Sequence, residues 1–428
     1  MDINSKLDFQ LIGLEQEDTV HLLLELAAPE MAAARRRDPA HLQVVLDRSG
    51  SMADGRLAHA LKAIESLISR LAPEDRFGLV AFDDQVEVPV PNAEIGDGSQ
   101  ARAALSAVFP RGMTNLASGL VRGFQEASRG SDGAGSTLVL LSDGHANQGV
   151  TVESALEDFA AGARRSGVST STIGIGLGYD EDLLTAISRG GSGNAHFAEH
   201  GDDAGAHLAS EVDGLLEQVI QAASLTVRLG AGVAAARLYN DLAVSGIEGG
   251  FMAELGDLTS GETRRLLLEI DVPALPELGL AEVATLELRW VDLETMEARL
   301  ATLPVNVNVV PGDQAAGRIS DPEVETELSF QRAQRSKREA TDALRNGELG
   351  KATSLFRTAV TDLRRSADRE GLPSAAASEL ISEADALEGL AERARSDAGW
   401  ATKVARADHH MKARKRGRGR DGGPGNRA

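Results

Sequence analysis

The chain of 428 residues is 42% hydrophobic and 25% charged, which is typical of folded globular proteins and excludes wholesale disorder. It contains no cysteine, so disulfide scaffolds, thiolate metal sites and cysteine nucleophiles are also excluded. Its net charge of −21 makes the surface acidic, so most of that surface repels nucleic acid.

At roughly 150 residues per domain, the length predicts two to four domains. The N-terminal residues lack the basic segment and apolar run of a signal peptide. The longest fully apolar runs, such as residues 138–141, are far shorter than the ~20 residues that span a bilayer. We therefore expect a soluble, cytoplasmic protein without a membrane segment.

Apolar and polar residues alternate in two stretches near the N-terminus, at Leu7, Phe9 and Leu11 and again from Val20 to Leu26. A period of two predicts half-buried strands. Four more runs of this kind follow residue 223, at residues 225–229, 266–270, 284–290 and 305–309. We expect residues 1–40 and 224–310 to form one antiparallel β-sandwich, interrupted in sequence by the segment between them.

Residues 41–223 instead alternate short apolar runs with amphipathic stretches of helical length. The predicted strands are residues 41–46, 77–82, 137–141 and 169–175. The predicted helices are residues 56–71, 114–128, 152–166, 180–188 and 203–223. Buried strands that alternate with helices favour a parallel sheet covered on both faces, and right-handed crossovers then give a doubly wound α/β domain.

The remainder of the chain predicts a linker at 311–320, a helical region at 321–410 and a basic disordered tail at 411–428. Residues 340–359 resemble one tetratricopeptide-type helix-turn-helix unit. Without a clear second copy, a helical hairpin that packs on the body or on itself is favoured over a repeat array. Residues 412–428 contain seven basic residues and one acidic residue, which suits either a solubilising end or a contact with nucleic acid or an acidic partner.

Oxygen-bearing side chains lie at three strand ends or helix starts of the α/β segment. Asp47, Ser49 and Ser51 follow its first strand, Thr114 lies at the start of a predicted helix, and Asp143 follows the strand at 137–141. The carboxyl ends of the strands in a doubly wound sheet border an open crevice, so we expect these side chains to converge there. Hydroxyl and carboxylate oxygens without nitrogen or sulfur suit Mg²⁺ or Mn²⁺.

In this order, the five residues resemble the metal-ion-dependent adhesion site of von Willebrand factor A-type (VWA) domains, written Asp-x-Ser-x-Ser, then Thr, then Asp. The sequences Gly-Met-Thr-Asn-Leu at 112–116 and Leu-Leu-Ser-Asp-Gly at 140–144 also resemble that family. The resemblance covers about residues 41–223. It implies that the two serines and the threonine bind the metal directly or nearly so, and that the two aspartates act largely through waters. It also implies that the sixth position takes an Asp or Glu carboxylate of a protein partner.

Other interpretations of the same residues are weaker. An isolated Asp-x-Ser-x-Ser is commonly a capped turn between strand and helix, but Thr114 and Asp143 at matching places favour a metal site. Ser49 and Ser51 lack the partners of a hydrolytic nucleophile. His145 is interpreted as a solvated loop residue, and Asp83-Asp84 as a turn at a strand end. The group His196, His200 and His207, near Asp202 and Asp203, does not have the spacing of a zinc site. The glycine-rich residues 174–178 lack the lysine of a phosphate-binding loop.

The expected function is a metal-dependent protein-binding module in a cytoplasmic assembly, and not an enzyme. The split sandwich with an inserted A-type domain resembles bacterial A-domain proteins and the heavy chains of inter-alpha-trypsin inhibitor. An alternative is a regulatory subunit of an ATP-driven complex of the MoxR or chelatase type. Since the chain has no Walker motif, the ATPase would be a separate polypeptide. A third possibility is a scaffold in which the metal ion is structural.

Overall fold

The computed structural model describes residues 1–31, 39–130, 135–143, 146–176, 179–198, 201–369 and 372–414. The chain divides into two compact units, one made of Met1–Met31 and Ala223–Ala428 and the other of Ala32–Ala222. Within the described ranges, each helix is too short or too polar to cross a membrane.

Sixteen strands and eleven α-helices are formed by the described residues. The strands are β1 (Asp2–Leu7), β2 (Leu11–Gly13), β3 (Asp18–Ala27), β4 (His41–Asp47), β5 (Arg76–Phe82), β6 (Val86–Glu94), β7 (Ser136–Ser142), β8 (Val168–Ile175), β9 (Ser192–Ala198), β10 (Gln218–Leu229), β11 (Ala235–Leu238), β12 (Val244–Ile247), β13 (Gly250–Thr259), β14 (Thr263–Val272), β15 (Gly279–Asp292) and β16 (Glu297–Val310). The helices are α1 (Arg56–Ile68), α2 (Ser99–Leu105), α3 (Leu116–Gly130), α4 (Glu153–Arg165), α5 (Glu181–Gly190), α6 (Gly201–Leu216), α7 (Gly312–Ala315), α8 (Pro322–Arg345), α9 (Leu349–Ala367), α10 (Ser374–Arg393) and α11 (Ala398–Arg414).

A six-stranded sheet in the order β6-β5-β4-β7-β8-β9 forms the centre of the α/β unit, Ala32–Ala222. Neighbouring strands are parallel except β5 and β6, which are antiparallel. All residues of β7 and β8 are buried, because α1, α2 and α6 cover one face of the sheet and α3, α4 and α5 cover the other. The prediction of an α/β fold with a parallel core is confirmed, with an antiparallel strand added at one edge.

Strand β4 lies inside this sheet, and its end positions the candidate site. Val44 packs in the core with α1, and Val45 packs in the core with α3. Asp47 pairs with Phe82 of β5, and the preceding leucine pairs with Leu141 of β7. The loops after these three strands therefore emerge at one edge, which is where doubly wound sheets bind ligands.

Three elements of the α/β unit, β6, β9 and α2, are absent from the sequence predictions. The predicted helix at 203–223 is wrong in its last third, because α6 ends at Leu216 and strand β10 begins at Gln218. The Glu, Gln and Ala residues at 217–223 favour a helix by local propensity. Pairing of β10 between β13 and β15 outweighs that propensity.

The β-rich part of the other unit contains two sheets, in the orders β1-β3-β14-β11 and β12-β13-β10-β15-β16-β2. Strand β3 is antiparallel to both β1 and β14, and Val20 is paired with Ile270. Strand β2 is parallel to β16. Residues at the start of the chain therefore hydrogen-bond to strands that follow the α/β unit in sequence, one in each sheet.

The first predicted strand, at Leu7, Phe9 and Leu11, is wrongly placed. Strand β1 ends at Leu7, and Leu11 begins a different strand in the other sheet. Between them, the buried Asp8 carboxylate accepts the His21 N–H at 2.8 Å, and its other oxygen lies 2.7 Å from His21 Nδ1. This polar pair holds the crossing between the sheets, and a hydrophobic period cannot reveal it.

Helices α8 to α11 share one apolar core that includes Phe356. Helix α8 also packs its Val324 and Leu328 against Leu23 of β3 and Leu267 of β14. The helical region therefore packs both on itself and on the β-rich part of the same unit. Both of the packing arrangements left open by the sequence are present.

The predicted linker at 311–320 is packed against the β-rich part. It contains the one-turn helix α7. Arg318 donates to the Leu11 carbonyl at 2.8 Å and to Asp18 Oδ1 at 2.9 Å, and its guanidinium lies 4.0 Å from the centre of the Phe9 ring. The segment is therefore wrongly described as a simple linker.

The helical region also extends further than predicted. Helix α11 continues to Arg414, into the segment predicted as a disordered tail. Lys412 Nζ lies 2.6 Å from Glu383 Oε2 and 2.9 Å from Asp408 Oδ1, so this lysine belongs to the helical packing. Residues 415–428, which make up the rest of the predicted tail, lie outside the described residues.

Candidate metal centre

The site begins at Asp47, the last residue of β4, whose side chain is fully buried. Its Oδ1 accepts the Ser49 N–H at 2.8 Å, and its Oδ2 accepts the Ser142 hydroxyl at 2.6 Å. Burial raises the pKa of Asp47 to about 6 against the opposing hydrogen bonds, and the charge of Asp143 adds to the rise. Asp47 therefore ties the loop after β4 to the end of β7, and its ionised form lacks a compensating cation among the described contacts.

A chain of hydrogen bonds joins three of the predicted site residues. Ser49 Oγ lies 2.9 Å from Ser51 Oγ, and Ser51 Oγ donates to Asp143 Oδ1 at 2.8 Å. Because Ser51 gives its proton to the carboxylate, Ser49 is the donor in the first bond. The 3₁₀ helix Gly50–Met52 gives the loop the curvature that brings the hydroxyls together. Ser49 and Asp143 are buried and Ser51 is exposed, so the chain reaches the surface.

Thr114 is buried on the adjoining loop. Its N–H donates to Asn147 Oδ1 at 2.9 Å, and its carbonyl accepts the N–H of Asn147 at 3.1 Å. The loop is joined to the serine loop by a hydrogen bond of 3.1 Å from the Gly50 N–H to the Gly112 carbonyl. Gly112 has φ +70, and a Cβ there would lie 2.1 Å from Asp84 Oδ1, so the turn requires glycine. The loop that carries Thr114 is thus joined to the serine loop at the same edge of the sheet.

Arg56, the first residue of α1, supplies a positive charge that the sequence analysis missed. Its Nη1 donates to the Ser51 carbonyl at 2.9 Å and to Asp143 Oδ2 at 3.0 Å. Both oxygens of Asp143 are therefore engaged, one by Ser51 and one by Arg56. The Arg56 side chain is 41% exposed, so the guanidinium can exchange this carboxylate for water.

Asp83 organises the loops below the site, although its position after β5 suggested only a turn. Its buried carboxylate accepts Arg48 Nε at 2.9 Å and Arg111 Nε at 2.7 Å. Burial raises the pKa of Asp83, but the hydrogen bonds from Arg111 and Gln85 and the charge of Arg48 outweigh it and hold the pKa below its usual value. Since Arg48 lies between Asp47 and Ser49 in sequence and Arg111 precedes Thr114, one carboxylate fixes both site loops.

The oxygen donors at this edge fit a hard divalent cation. The three hydroxyls and two carboxylates include no nitrogen or sulfur, which suits Mg²⁺ or Mn²⁺. In the described parts of the chain, no group of three or more His, Cys, Asp or Glu side chains is arranged to hold a metal ion. A metal site in these parts would therefore need further oxygen ligands, which the hydroxyls in the set Asp47, Ser49, Ser51, Thr114 and Asp143 can supply.

The other sequence candidates do not form a second site among the described residues. His196 Nε2 lies 2.7 Å from Glu211 Oε1, and its ring stacks on His207 with centroids 4.7 Å apart, so this pair is internal packing between β9 and α6. Gly176 of the glycine-rich segment packs against Arg56. His145, His200 and residues 177–178 lie outside the described residues, as does the Asp202 side chain.

Comparison with known proteins identifies relatives of the α/β segment and one relative of a larger part of the chain. Residues 41–209 match the family model for the von Willebrand factor type A domain. Uncharacterized protein sll0103 of Synechocystis sp. (strain PCC 6803) is 27% identical over 349 residues, which cover 76% of this chain and 78% of that protein. Uncharacterized protein YfbK of Escherichia coli K12 is 28% identical over 179 residues, 41% of this chain and 31% of that protein. Inter-alpha-trypsin inhibitor heavy chain H1 of Homo sapiens is 27% identical over 186 residues, 41% of this chain and 20% of that protein.

Two solved structures share the fold over almost the whole chain. A von Willebrand factor type A protein from Catenulispora acidiphila has a TM-score of 0.70 at 16% identity and covers 97% of both chains. The ArnB paralog VWA2 from Sulfolobus acidocaldarius has a TM-score of 0.61 at 15% identity, over 96% of this chain and 97% of that one. At such low identity, the likeness concerns the fold alone, and it includes the β-rich and helical parts.

Proposed function

We propose that this protein, which carries a VWA domain at residues 41–209, is a metal-dependent protein-binding module and not an enzyme. VWA domains generally bind protein partners through a metal ion at a site of this composition. The observation that supports the proposal most directly is the hydrogen-bonded chain from Ser49 through Ser51 to Asp143, on the edge that also carries Thr114. The chain joins two hydroxyls and a carboxylate at the carboxyl end of the sheet, and its middle member, Ser51, is exposed, which supports a ligand site there.

In this proposal the residues of the site have two roles. Ser49, Ser51 and Thr114 hold Mg²⁺ or Mn²⁺, and Asp47 and Asp143 hold its waters. The ion supplies an electrophilic centre for an oxygen ligand when it is bound. Asp47 is suited to an indirect role, because both of its oxygens already accept hydrogen bonds from the protein. Neutral hydroxyl ligands leave most of the charge of the cation uncompensated, so the site favours an Asp or Glu carboxylate of a partner.

Calorimetry with Mg²⁺ and Mn²⁺ tests the metal site directly. We expect one divalent ion per chain for the wild type and no binding for the double variant Thr114→Ala/Asp143→Ala. Ser166→Ala is the matched control, because Ser166 follows α4 and, among the described residues, its hydroxyl bonds only the carbonyl of Gly162, one turn earlier in that helix. Binding that is unchanged in the double variant rejects the assignment.

Affinity capture with the full chain tests the function. Protein partners that bind the wild type in Mg²⁺, and are lost both with a chelator and with Asp47→Ala/Ser49→Ala, are partners of the metal site. We propose that they belong to a cytoplasmic assembly. A separate ATPase among them would support the alternative role as the regulatory subunit of an ATP-driven complex, whereas tight metal retention without such partners would support a structural metal.

We also propose that the two β-sheets form one sandwich into which the α/β domain is inserted. The pairing of β3 with β14 and of β2 with β16 supports this arrangement. Deletion of residues 1–30 removes β1, β2 and β3 and makes β14 and β16 new sheet edges, so we expect aggregation of the truncated chain. A soluble and cooperatively unfolding fragment 224–310, measured by circular dichroism and size-exclusion chromatography, would contradict the split sandwich.

A further inference from the structure

Large apolar side chains are exposed on the two loops that flank the candidate metal centre. Phe109 and Met113, in the loop before Thr114, are 56% and 48% exposed, and Val150 and Val152, in the loop before α4, are 38% and 61% exposed. They are four of the six exposed large apolar side chains among the described residues of the α/β unit. Such a concentration beside one site indicates an interaction surface rather than scattered exposure.

The two loops are joined to each other. Gln148 Nε2 donates to Met113 Sδ at 3.2 Å, and the Gln148 N–H donates to the Thr114 carbonyl at 3.2 Å. Gly149 has φ +72, and a Cβ there would lie 2.5 Å from Asn115 Oδ1, so the second loop lies directly against the first. The exposed apolar groups therefore belong to one surface that adjoins Thr114.

Two arginines lie at this surface, although the whole chain has a net charge of −21. The Arg111 guanidinium lies 5.7 Å from the centre of the Phe109 ring, and Arg56 lies at the other side of the site, on Asp143. Arg111 is paired with Asp83 and Glu87 and Arg56 with Asp143, so the positive charge offered to a partner would come mainly from a bound divalent ion. An anionic group with an apolar neighbour is complementary to this combination.

We propose that the partner of this site is a protein segment in which an Asp or Glu stands next to a large apolar residue. The carboxylate binds at the metal, and the apolar side chain packs on the apolar rim, which we define as Phe109, Met113, Val150 and Val152. This inference rests on the proposed function, because the metal ion anchors the carboxylate. The metal alone accepts any accessible carboxylate, so the apolar rim determines which acidic segments bind.

A peptide array tests this specificity. Each peptide carries one central Glu, and every residue type is placed in turn at the flanking positions. The array is probed with the full chain in Mg²⁺ and again with a chelator. We expect Leu, Ile, Phe or Met beside the Glu in the peptides that bind, no binding to the matched peptides with Gln in place of Glu, and loss of all signals with the chelator.

The variant Phe109→Ser/Val152→Ser removes the apolar rim in part. Val152 is the N-cap of α4, where serine is favoured, so that helix is retained. We expect about tenfold weaker binding of the apolar Glu peptides, the loss that follows when such a side chain no longer buries apolar surface, with unchanged Mg²⁺ affinity. Phe159→Gln is the matched control, since Phe159 is also exposed but lies on α4 outside both loops.

The results separate the two proposals. If Glu peptides bind only in Mg²⁺ but without preference for apolar neighbours, and the rim variant binds them like the wild type, the rim inference is overturned and the proposed function stands. If binding persists in the chelator, or if no Glu peptide binds in Mg²⁺, metal-dependent carboxylate recognition is overturned together with the rim.

Discussion

Two clusters of buried carboxylates, one among the C-terminal helices and one at the edge of the α/β sheet, are compensated in different ways. In the helical cluster, the fully buried Lys337 forms ion pairs with Glu383 and Asp408, and Lys412 lies 2.6 Å from the second oxygen of Glu383. Two carboxylates there face two ammonium groups. Although burial acts to raise them, the charges of the two lysines hold the pKa values of Glu383 and Asp408 below their usual range.

At the metal centre, the carboxylates outnumber the cations within reach. Arg56 bonds Asp143, and the described contacts of Asp47 are hydrogen bonds from serines and the serine backbone. The pKa of Asp47 accordingly rises to about 6 because of its burial. The balanced cluster is complete as part of the fold, whereas the unbalanced one would gain stability from a cation taken from solution, as the proposed function requires.

The largest expected effect follows from Lys337→Met, which unbalances the helical cluster. Loss of a fully buried ion-pair partner leaves uncompensated carboxylates and lowers the free energy of unfolding by about 3–5 kcal/mol. Urea unfolding followed by Trp400 fluorescence reports on this region, in a Trp290→Phe background that leaves Trp400 as the sole tryptophan. Lys351→Met is the control, because Lys351 is exposed and, in the part of the chain that the structure describes, pairs only with the exposed Glu348. A loss no larger than that of the control would show that Lys412 alone balances the cluster.

At the candidate metal centre, we expect a substitution to raise the free energy of unfolding instead of lowering it. Asp47→Asn removes a buried charge whose pKa is raised to about 6, so the metal-free protein gains on the order of 1–3 kcal/mol in unfolding free energy at neutral pH. Added Mg²⁺ should stabilise the wild type and leave the variant unchanged. Hydrogen exchange of the α/β unit with and without a chelator measures both effects, with the exposed Asp158→Asn as control. A destabilised metal-free variant would mean that the hydrogen bonds of Asp47 outweigh its desolvation.

Acidification should change the contributions of the two clusters to folding stability in opposite directions. The folded-state pKa of Asp47 lies above its unfolded value, so its unfavourable contribution disappears as the pH falls from above about 6 to below about 4. The folded-state pKa values of Glu383 and Asp408 lie below their unfolded values, so their contribution is present above about pH 4 and is lost as the pH falls further. Hydrogen exchange in a pH series resolves both regions, and Lys337→Met should weaken only the response of the helices. A change of stability in the same direction in both regions would contradict the difference proposed between the two clusters.

The sequence predicted those parts of the fold in which burial on both faces gives continuous apolar runs, as in β7. It missed β6, although Pro89 and Pro91 in an alternating segment are a known signal of an edge strand. The position of β1 and the start of β10 could not be read from periodicity. They depend on the buried pair of Asp8 with His21 and on pairing between strands that are distant in sequence.

The five motif residues of the site were predictable because Asp, Ser and Thr at strand ends are conspicuous in the sequence. The residues that support them were not, since their roles arise from distant partners. Arg48 meets Asp83 across 35 residues, Arg56 meets Asp143 across 87, and Ser142 meets Asp47 across 95. A basic residue five positions after Ser51 is the only local signal of Arg56 that the sequence offers.

The smallest expected effect concerns that arginine. A divalent ion near Asp143 is repelled by the Arg56 guanidinium, which lies 3.0 Å from Asp143 Oδ2. Because Arg56 is partly exposed, solvent and salt screen most of this repulsion, and Arg56→Gln should tighten Mg²⁺ binding by only about two- to fivefold, with a larger change at low ionic strength. Calorimetry at two salt concentrations measures this, and Arg56→Lys should keep the wild-type affinity. Weaker Mg²⁺ binding by Arg56→Gln would instead show that the hydrogen bonds of Arg56 to Asp143 and to the Ser51 carbonyl hold the loop in the geometry that the metal requires, which would make Arg56 a positioning residue.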